Sequence, residues 1–371
     1  MIASRRTLLA GLAALPLAAA PRIARAQDPG APAEAALDAA FADGPPALAA
    51  AIVARDGLRW SGVRGVRRAG HGARATLEDR WHLGSNTKAM TAAVYGRLVD
   101  QGRARWDMSL AAALPGLTIA PGWATTTPED LMRHRAGLLD AGLLDQAWLI
   151  GAHADQRPLP EQRATFAAKA LGRPPAGPAG QFAYANSNYI VLGAAIEALT
   201  GTVWEAVMES ELFAPLSLGS AGFGAPRGEA PWGHRGGVGV DPAGFADNPP
   251  ALGPAGTAHM SLADYGRFVS AMMGGAPGWL GEETRIRLLT PAAGSPPAYA
   301  AGWGVGTAPW AGLAGPGPTI THNGSNTMWF ATVLAAPERG LGFIALANDA
   351  AAGQRACQTL VRRLAEVAAA A

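Results

Sequence analysis

The sequence predicts an α/β fold assembled from the two ends of the chain, with an all-α segment inserted between them. Three observations carry this. Residues 33–106 give helix, paired-strand and helix signals in turn, residues 107–220 carry helical signals and no convincing strand, and residues 326–347 read as a second hairpin followed by an alanine-rich helix. Hairpins build an antiparallel sheet, and helices at both termini are placed to flank it.

Taken in order, residues 33–43 (AEAALDAAFAD) form a helical pattern stopped by Asp43, Gly44 and two prolines. Residues 47–55 are a buried strand that turns at Asp56 and Gly57 into a second strand over 58–63. After a turn region rich in glycine and arginine, Met90, Val94 and Leu98 stand four apart in a helix that ends at Gly102 and holds Ser85 to Lys88 in its first turn. The helical part extends over about 107–256, and the second α/β part over about 257–371. Residues 222–256 are dense in glycine and proline; with residues 140–180 they are the segments expected to wall a pocket. Residues 326–334 and 341–347 flank a Pro-Glu-Arg-Gly turn, and a helix runs from Gly353 onward.

Composition narrows the function classes. With 371 residues, 49% hydrophobic and 16% charged, the chain can bury a substantial core. Cys357 is the single cysteine, so no intrachain disulfide is possible. The net charge of +2 owes much to Arg5, Arg6, Arg22 and Arg25, which lie in a first stretch of 26 residues without any acid. The remainder is nearly neutral, which excludes the electrostatic footprint of a nucleic-acid binder. Paired arginines, an apolar stretch from Leu8 to Ala20 and a small-residue site at Ala24-Arg25-Ala26 read as a twin-arginine-type signal peptide over residues 1–26. The mature chain, 27–371, is then expected to be periplasmic or secreted from a bacterium. No later window is apolar enough to span a bilayer, and the sequence leaves the oligomeric state open.

Three short motifs carry chemistry. In Ser85-Asn86-Thr87-Lys88, serine and lysine three apart share a helix face, so a lysine kept partly neutral can take the serine's proton. In Tyr184-Ala185-Asn186, just before a helix with Leu192, Ile196 and Leu199 on one face, a phenol can relay that proton and Asn186 can orient a substrate amide. In His322-Asn323-Gly324-Ser325, Gly324 lets a substrate backbone approach, and the Ser325 amide can point at its carbonyl oxygen. By itself, Asn-Gly here is a turn signal. The seven histidines include no close pair or zinc motif, and no nucleophile elbow or phosphate loop occurs; no metal or cofactor is implied.

The order Ser-x-x-Lys, Tyr-x-Asn, His-x-Gly resembles the serine penicillin-recognising hydrolases: class C β-lactamases, D,D-carboxypeptidases and related esterases and aminopeptidases. LMRHRAGL at 131–138, FAYANSNYIVLG at 182–193 and PAGTAHMSLADYGRF at 254–268 are similar to further stretches of that family, so the resemblance extends from about 34 to 365. It implies a β-lactamase/transpeptidase-like fold and a serine hydrolase forming an acyl-enzyme on an ester, amide or D-amino-acid peptide. Ser85 would attack, Lys88 and Tyr184 would handle the proton, and the amides of Ser85 and Ser325 would hold the oxyanion. A D,D-carboxypeptidase, a β-lactamase, and a non-catalytic cell-wall binding module keeping the fold are the alternatives. Arg135 and Ala136 stand where the family has small hydroxyl residues, a change expected to act on packing. His322 stands where most β-lactamases carry lysine; with an ordinary histidine pKa it is expected to be neutral above pH 7 and charged near pH 5.5, favouring carboxylated substrates at the lower pH.

Overall fold

A six-stranded antiparallel sheet runs through the computed structural model, which describes residues 30–42, 44–293 and 296–370. The expected export segment, 1–26, lies outside the described residues. The strands are β1 (Ala47–Ala54), β2 (Gly57–Gly65), β3 (Gly304–Ala308), β4 (Gly317–Ser325), β5 (Phe330–Ala336) and β6 (Leu341–Ala347), in the spatial order β2-β1-β6-β5-β4-β3. The helices that matter for the site are α1 (Gly30–Phe41), α2 (Thr87–Asp100), α3 (Leu159–Leu171), α4 (Asn186–Thr200) and α5 (Ala350–Ala370).

Every residue of β1 is buried, because this strand is covered on both faces. Leu48, Ala50 and Ile52 pack with Leu37 of α1 and with Cys357, Leu360 and Leu364 of α5. Ala49, Ala51 and Val53 face the larger cluster that holds Met90, Val94 and Leu98 of α2 and Ile190 and Ile196 of α4. The α2 spacing thus serves a fully buried helix wedged between sheet and helical segment. That segment is fastened by Arg163 of α3, fully buried, which donates to Glu197 Oε1 of α4 at 2.5 Å, to both carboxylate oxygens of Glu205 and to the carbonyls of Pro250 and Ala251. A buried arginine is tolerable only with such complete pairing.

The C-terminal hairpin differs from expectation at one end. Its first strand begins at Phe330 rather than at 326, because Asn326 Oδ1 accepts the amides of Met328 and Trp329 and Thr327 takes φ +75°, which closes a turn. The His-Asn-Gly-Ser segment, in turn, is strand β4 and not a turn. Gly324 is there for closeness: a Cβ on it would lie 1.9 Å from Leu83 O, and one on Gly84, at φ +51°, would lie 2.3 Å from Ser325 N. The turn that carries Ser85 is thereby pressed against the end of β4. Strand β3 pairs with β4 only from Gly317 to Thr321, so residues 322–325 form a free edge beside that turn.

Two glycines meeting backbone to backbone leave no room for a methyl group. Gly324→Ala is expected to lower unfolding stability by about 2–3 kcal/mol, measured by urea denaturation, whereas Gly72→Ala, with open space around it, stays within about 0.5 kcal/mol of the parent. Equal midpoints for the two variants would show that the turn and strand do not need this contact.

Candidate active site

Ser85 lies in a 3-10 turn, Gly84–Asn86, that feeds directly into α2. Thr87 holds the turn by donating to Gly84 O (2.7 Å) and accepting the amide of Ala258 (3.0 Å), and Leu83 N bonds Ala258 O (2.9 Å). One helical turn further on, Lys88 is completely buried, as the i, i+3 spacing with Ser85 permits. Its Nζ lies 2.9 Å from Ser85 Oγ, 2.8 Å from Asn186 Oδ1 and 2.7 Å from Ala255 O.

The chemistry of these three partners is unequal. Ala255 O can only accept. Asn186 presents its oxygen to Lys88 because its Nδ2 faces the carboxylate of Asp140 at 3.3 Å, and a carboxylate also only accepts. A neutral amine has two N–H bonds and one lone pair; with both N–H bonds taken by Asn186 and Ala255, the lone pair is left for the proton of Ser85. Burial pushes the Lys88 pKa down to about 7, opposed by the Asp140 charge, so neutral amine is present near neutrality.

Asp140 was not legible as a site residue. It accepts the amides of Asn186 (3.0 Å) and Ser187 (2.9 Å) and the Ser187 hydroxyl (2.9 Å), which caps α4 and fixes the way Asn186 faces. No spacing rule links residue 140 to 186; only the fold joins them.

Tyr184 is 41% exposed as a residue, yet its phenol end sits against Ser85, and its ring centroid is 4.9 Å from Lys88 Nζ. Burial of that end raises the phenol pKa, with Ser85 pulling weakly the other way, so the hydroxyl keeps its proton. The ring packs on His134, centroid to centroid 4.3 Å. His134, buried and with its pKa well below the ordinary histidine value through burial and the Lys88 charge, accepts the amide of Ala185 (3.3 Å) on Nδ1. The histidine of the LMRHRAGL stretch therefore shapes the wall behind Tyr184. Arg135 beside it acts on packing as expected: it donates to the carbonyls of Gly180 (2.7 Å) and Pro297 (3.2 Å).

On β4, His322 is buried and its ring lies 6.2 Å from that of Tyr184. Its Nδ1 is 2.7 Å from Asn323 O, an acceptor, so Nδ1 carries the proton and Nε2 accepts from the Tyr299 hydroxyl at 2.9 Å. Burial, then the Lys88 charge, pushes its pKa down to about 3. The expectation of a histidine cationic near pH 5.5 is thus corrected: in this enclosure it stays neutral. Asn323 is exposed, with Oδ1 accepting from Thr332 at 2.7 Å; Gly324 is the contact point already described; Ser325 ends the free edge, its Oγ accepting the amide of Thr327. The fold brings Ser85, Lys88, Tyr184 and Asn186 together, sets His322 beside Tyr184, and presses Gly324 and Ser325 against the Ser85 turn, while the Asn323 side chain faces Thr332. Among the described residues no cluster of groups could hold a metal ion.

The sequence profile of the beta-lactamase family matches residues 34–367. Penicillin-binding protein 4 of Amycolatopsis lactamdurans is 30% identical over 333 residues, covering 82% of this chain and 81% of the relative. An unguisins hydrolase of Aspergillus campestris is 24% identical over 312 residues, 78% of this chain, and the chain spans just over half of that protein, 56%. Among solved structures, the D-stereospecific amidohydrolase from a Streptomyces species superposes with a TM-score of 0.68 at 22% identity, covering 90% of this chain and 97% of that one.

Because the chain has only two lysines, Lys88 and the exposed Lys169, carbon-13 NMR can follow the first with the second as internal reference. Asp140→Asn removes the charge that holds the Lys88 pKa up, so its titration midpoint is expected to move below the parent's value of about 7. A midpoint that stays or rises would show that the carboxylate does not act on the amine.

Proposed function

The chain belongs to the beta-lactamase family of serine hydrolases, and from that premise we propose that it is an exported acyl hydrolase in which Ser85 attacks the carbonyl of an ester, amide or D-amino-acid peptide. The observation that carries this reading is the buried amine of Lys88, directed at Ser85 Oγ with its other partners limited to acceptors. Export rests on the twin-arginine segment at residues 1–26.

In the proposed sequence neutral Lys88 takes the Ser85 proton as Oγ bonds to the substrate carbonyl carbon, and the carbonyl electron pair moves to oxygen. The amides of Ser85 and Ser325, at the turn and at the free edge of β4, face that oxygen and stabilise its charge. Collapse expels the leaving group, which receives a proton from the Lys88 and Tyr184 pair; Tyr184, whose phenol stays protonated, serves as the relay and not as a standing anion. Water, deprotonated by the same pair, then releases the acyl group and regenerates Ser85.

The substrate end that reaches His322 meets no cation there, since both ring nitrogens are engaged by Asn323 and Tyr299. This favours an uncharged ester or amide over a carboxylated β-lactam. The names of the amidohydrolase and of the penicillin-binding relative make D-amino-acid amides and peptides the first substrates to assay alongside esters.

A fluorophosphonate is expected to label Ser85 alone, read by peptide mass, and Ser85→Ala to abolish both labelling and turnover; labelling elsewhere in active protein would reject the assignment. Lys88→Ala should lower acylation by about a thousandfold or more, as loss of one member of a coupled pair disables the unit.

The pH profile has a definite sign. The working form of Lys88 is neutral, so kcat/KM should fall as pH drops through about 7. Since His322 remains neutral, an uncharged ester and a carboxylated penicillin should fall in parallel between pH 8 and 5.5. A penicillin-to-ester ratio that climbs on acidification would mean that His322 gains a proton and binds the carboxylate.

A further inference from the structure

A second histidine and carboxylate pair lies beside the nucleophile without touching it. His82, buried two residues before Gly84, accepts the Gly84 amide on Nδ1 (3.1 Å), so its ring proton is on Nε2, which lies 2.9 Å from Asp247 Oδ2. The other oxygen of Asp247 accepts Asn326 Nδ2 at 2.9 Å. Asn326 follows Ser325 directly; its Nδ2 also donates to Ala246 O (3.1 Å), and its Oδ1 closes the turn at the end of β4. Trp329 from that turn stacks on the His82 ring at 5.6 Å between centroids, 29° from parallel. One carboxylate, only 9% exposed, thus grips the residue before Ser85 through His82 and the residue after Ser325 directly.

We propose that Asp247 is a positioning residue for catalysis: through His82 and Asn326 it sets the separation and aim of the two backbone amides, of Ser85 and Ser325, that receive the substrate's carbonyl oxygen. The proposal rests on the acyl-hydrolase reading above. Gly84 is the site of a positive φ, and its N–H direction turns with that angle, so fixing the N–H fixes the turn that presents the Ser85 amide. Asn326 does the same for the last residue of β4. Amides that stabilise an oxyanion work by being held in place before charge develops, so a loosened pair loses transition-state binding while ground-state binding persists. A carboxylate suits the junction because both neighbours donate to it. An amide in its place must turn its NH2 toward one of two donors.

The test uses the full chain and Asp247→Asn. With an ester substrate, kcat is expected to fall about a hundredfold, with KM within about threefold, and inhibition by phenylboronic acid, which forms a tetrahedral adduct on serine, to weaken in step with kcat. If Asp247→Asn does not fold, Asn326→Ser keeps the histidine pair, removes the Asp247 link to β4 together with the Ala246 and turn bonds of Asn326, and carries the same kcat readout. A kcat equal to the parent's with a lowered melting temperature would overturn the proposal and leave Asp247 as a staple for the 240–250 loop. Fluorophosphonate labelling of Ser85 in the parent separates this failure from that of the underlying reading: labelled Ser85 with an indifferent Asp247 sinks only the positioning role.

Discussion

The buried amine of Lys88 is the group around which the site is built. Holding its pKa near 7 instead of 10.5 corresponds to a penalty on the charged form on the order of 5 kcal/mol, which only an extensive core can offset. That core is the large cluster in which α2 is wedged between the sheet and α4. The same burial that lowers the amine's basicity, and so leaves it neutral and able to accept the Ser85 proton near pH 7, also demands acceptors for its N–H bonds. Those come from α4 and from the segment ending at Gly256, so three stretches far apart in the chain converge on one nitrogen. A site of this kind cannot be assembled by any one part of the chain.

Burial also simplifies the electrostatics around it. Tyr184, Tyr189 and Tyr299 keep their protons because desolvation raises their pKa values, and His134 and His322 lose theirs because desolvation and the nearby Lys88 charge lower them. The two histidines that face the site, His134 and His322, are thereby neutral around pH 7. Proton movement in the cleft then reduces to Ser85, Lys88 and the phenol of Tyr184. At His322 the consequence is substrate-facing: an imidazole that accepts from one neighbour and donates to another has neither charge nor proton to offer.

What could be read from the sequence was local. The strands 47–54 and 341–347, helix α2 and helix α5 announce themselves through apolar runs and i, i+4 spacing, and Ser85 with Lys88 through a spacing that any helix converts into a contact. Strand β3, a five-residue edge strand of which three residues are glycine or exposed, gives no such pattern. Around His322 the Asn-Gly pair is by itself only a turn signal, whereas Gly324 is demanded by the approach of Leu83 O, a partner 241 positions away. Likewise Asp140 and Tyr299 have no local signature, since each acts on a residue supplied by another element. The fold class followed from patterning; the polar wiring followed from long-range packing, to which patterning is blind.

The two segments expected to wall the cleft, 140–180 and 222–256, enter it through a carboxylate each. Asp140 spends both oxygens on the start of α4, and Asp247 spends one on His82, which holds Gly84, and the other on Asn326 just past β4. A charged acceptor with two oxygens makes a strong, directional joint at a helix end or turn, where backbone and amide donors would otherwise go unpaired. Beyond these joints the segments carry exposed side chains such as Ile150 and Phe245, the latter in ring contact with His153. The two carboxylates therefore hold these segments to the elements that carry Ser85, Asn186 and β4.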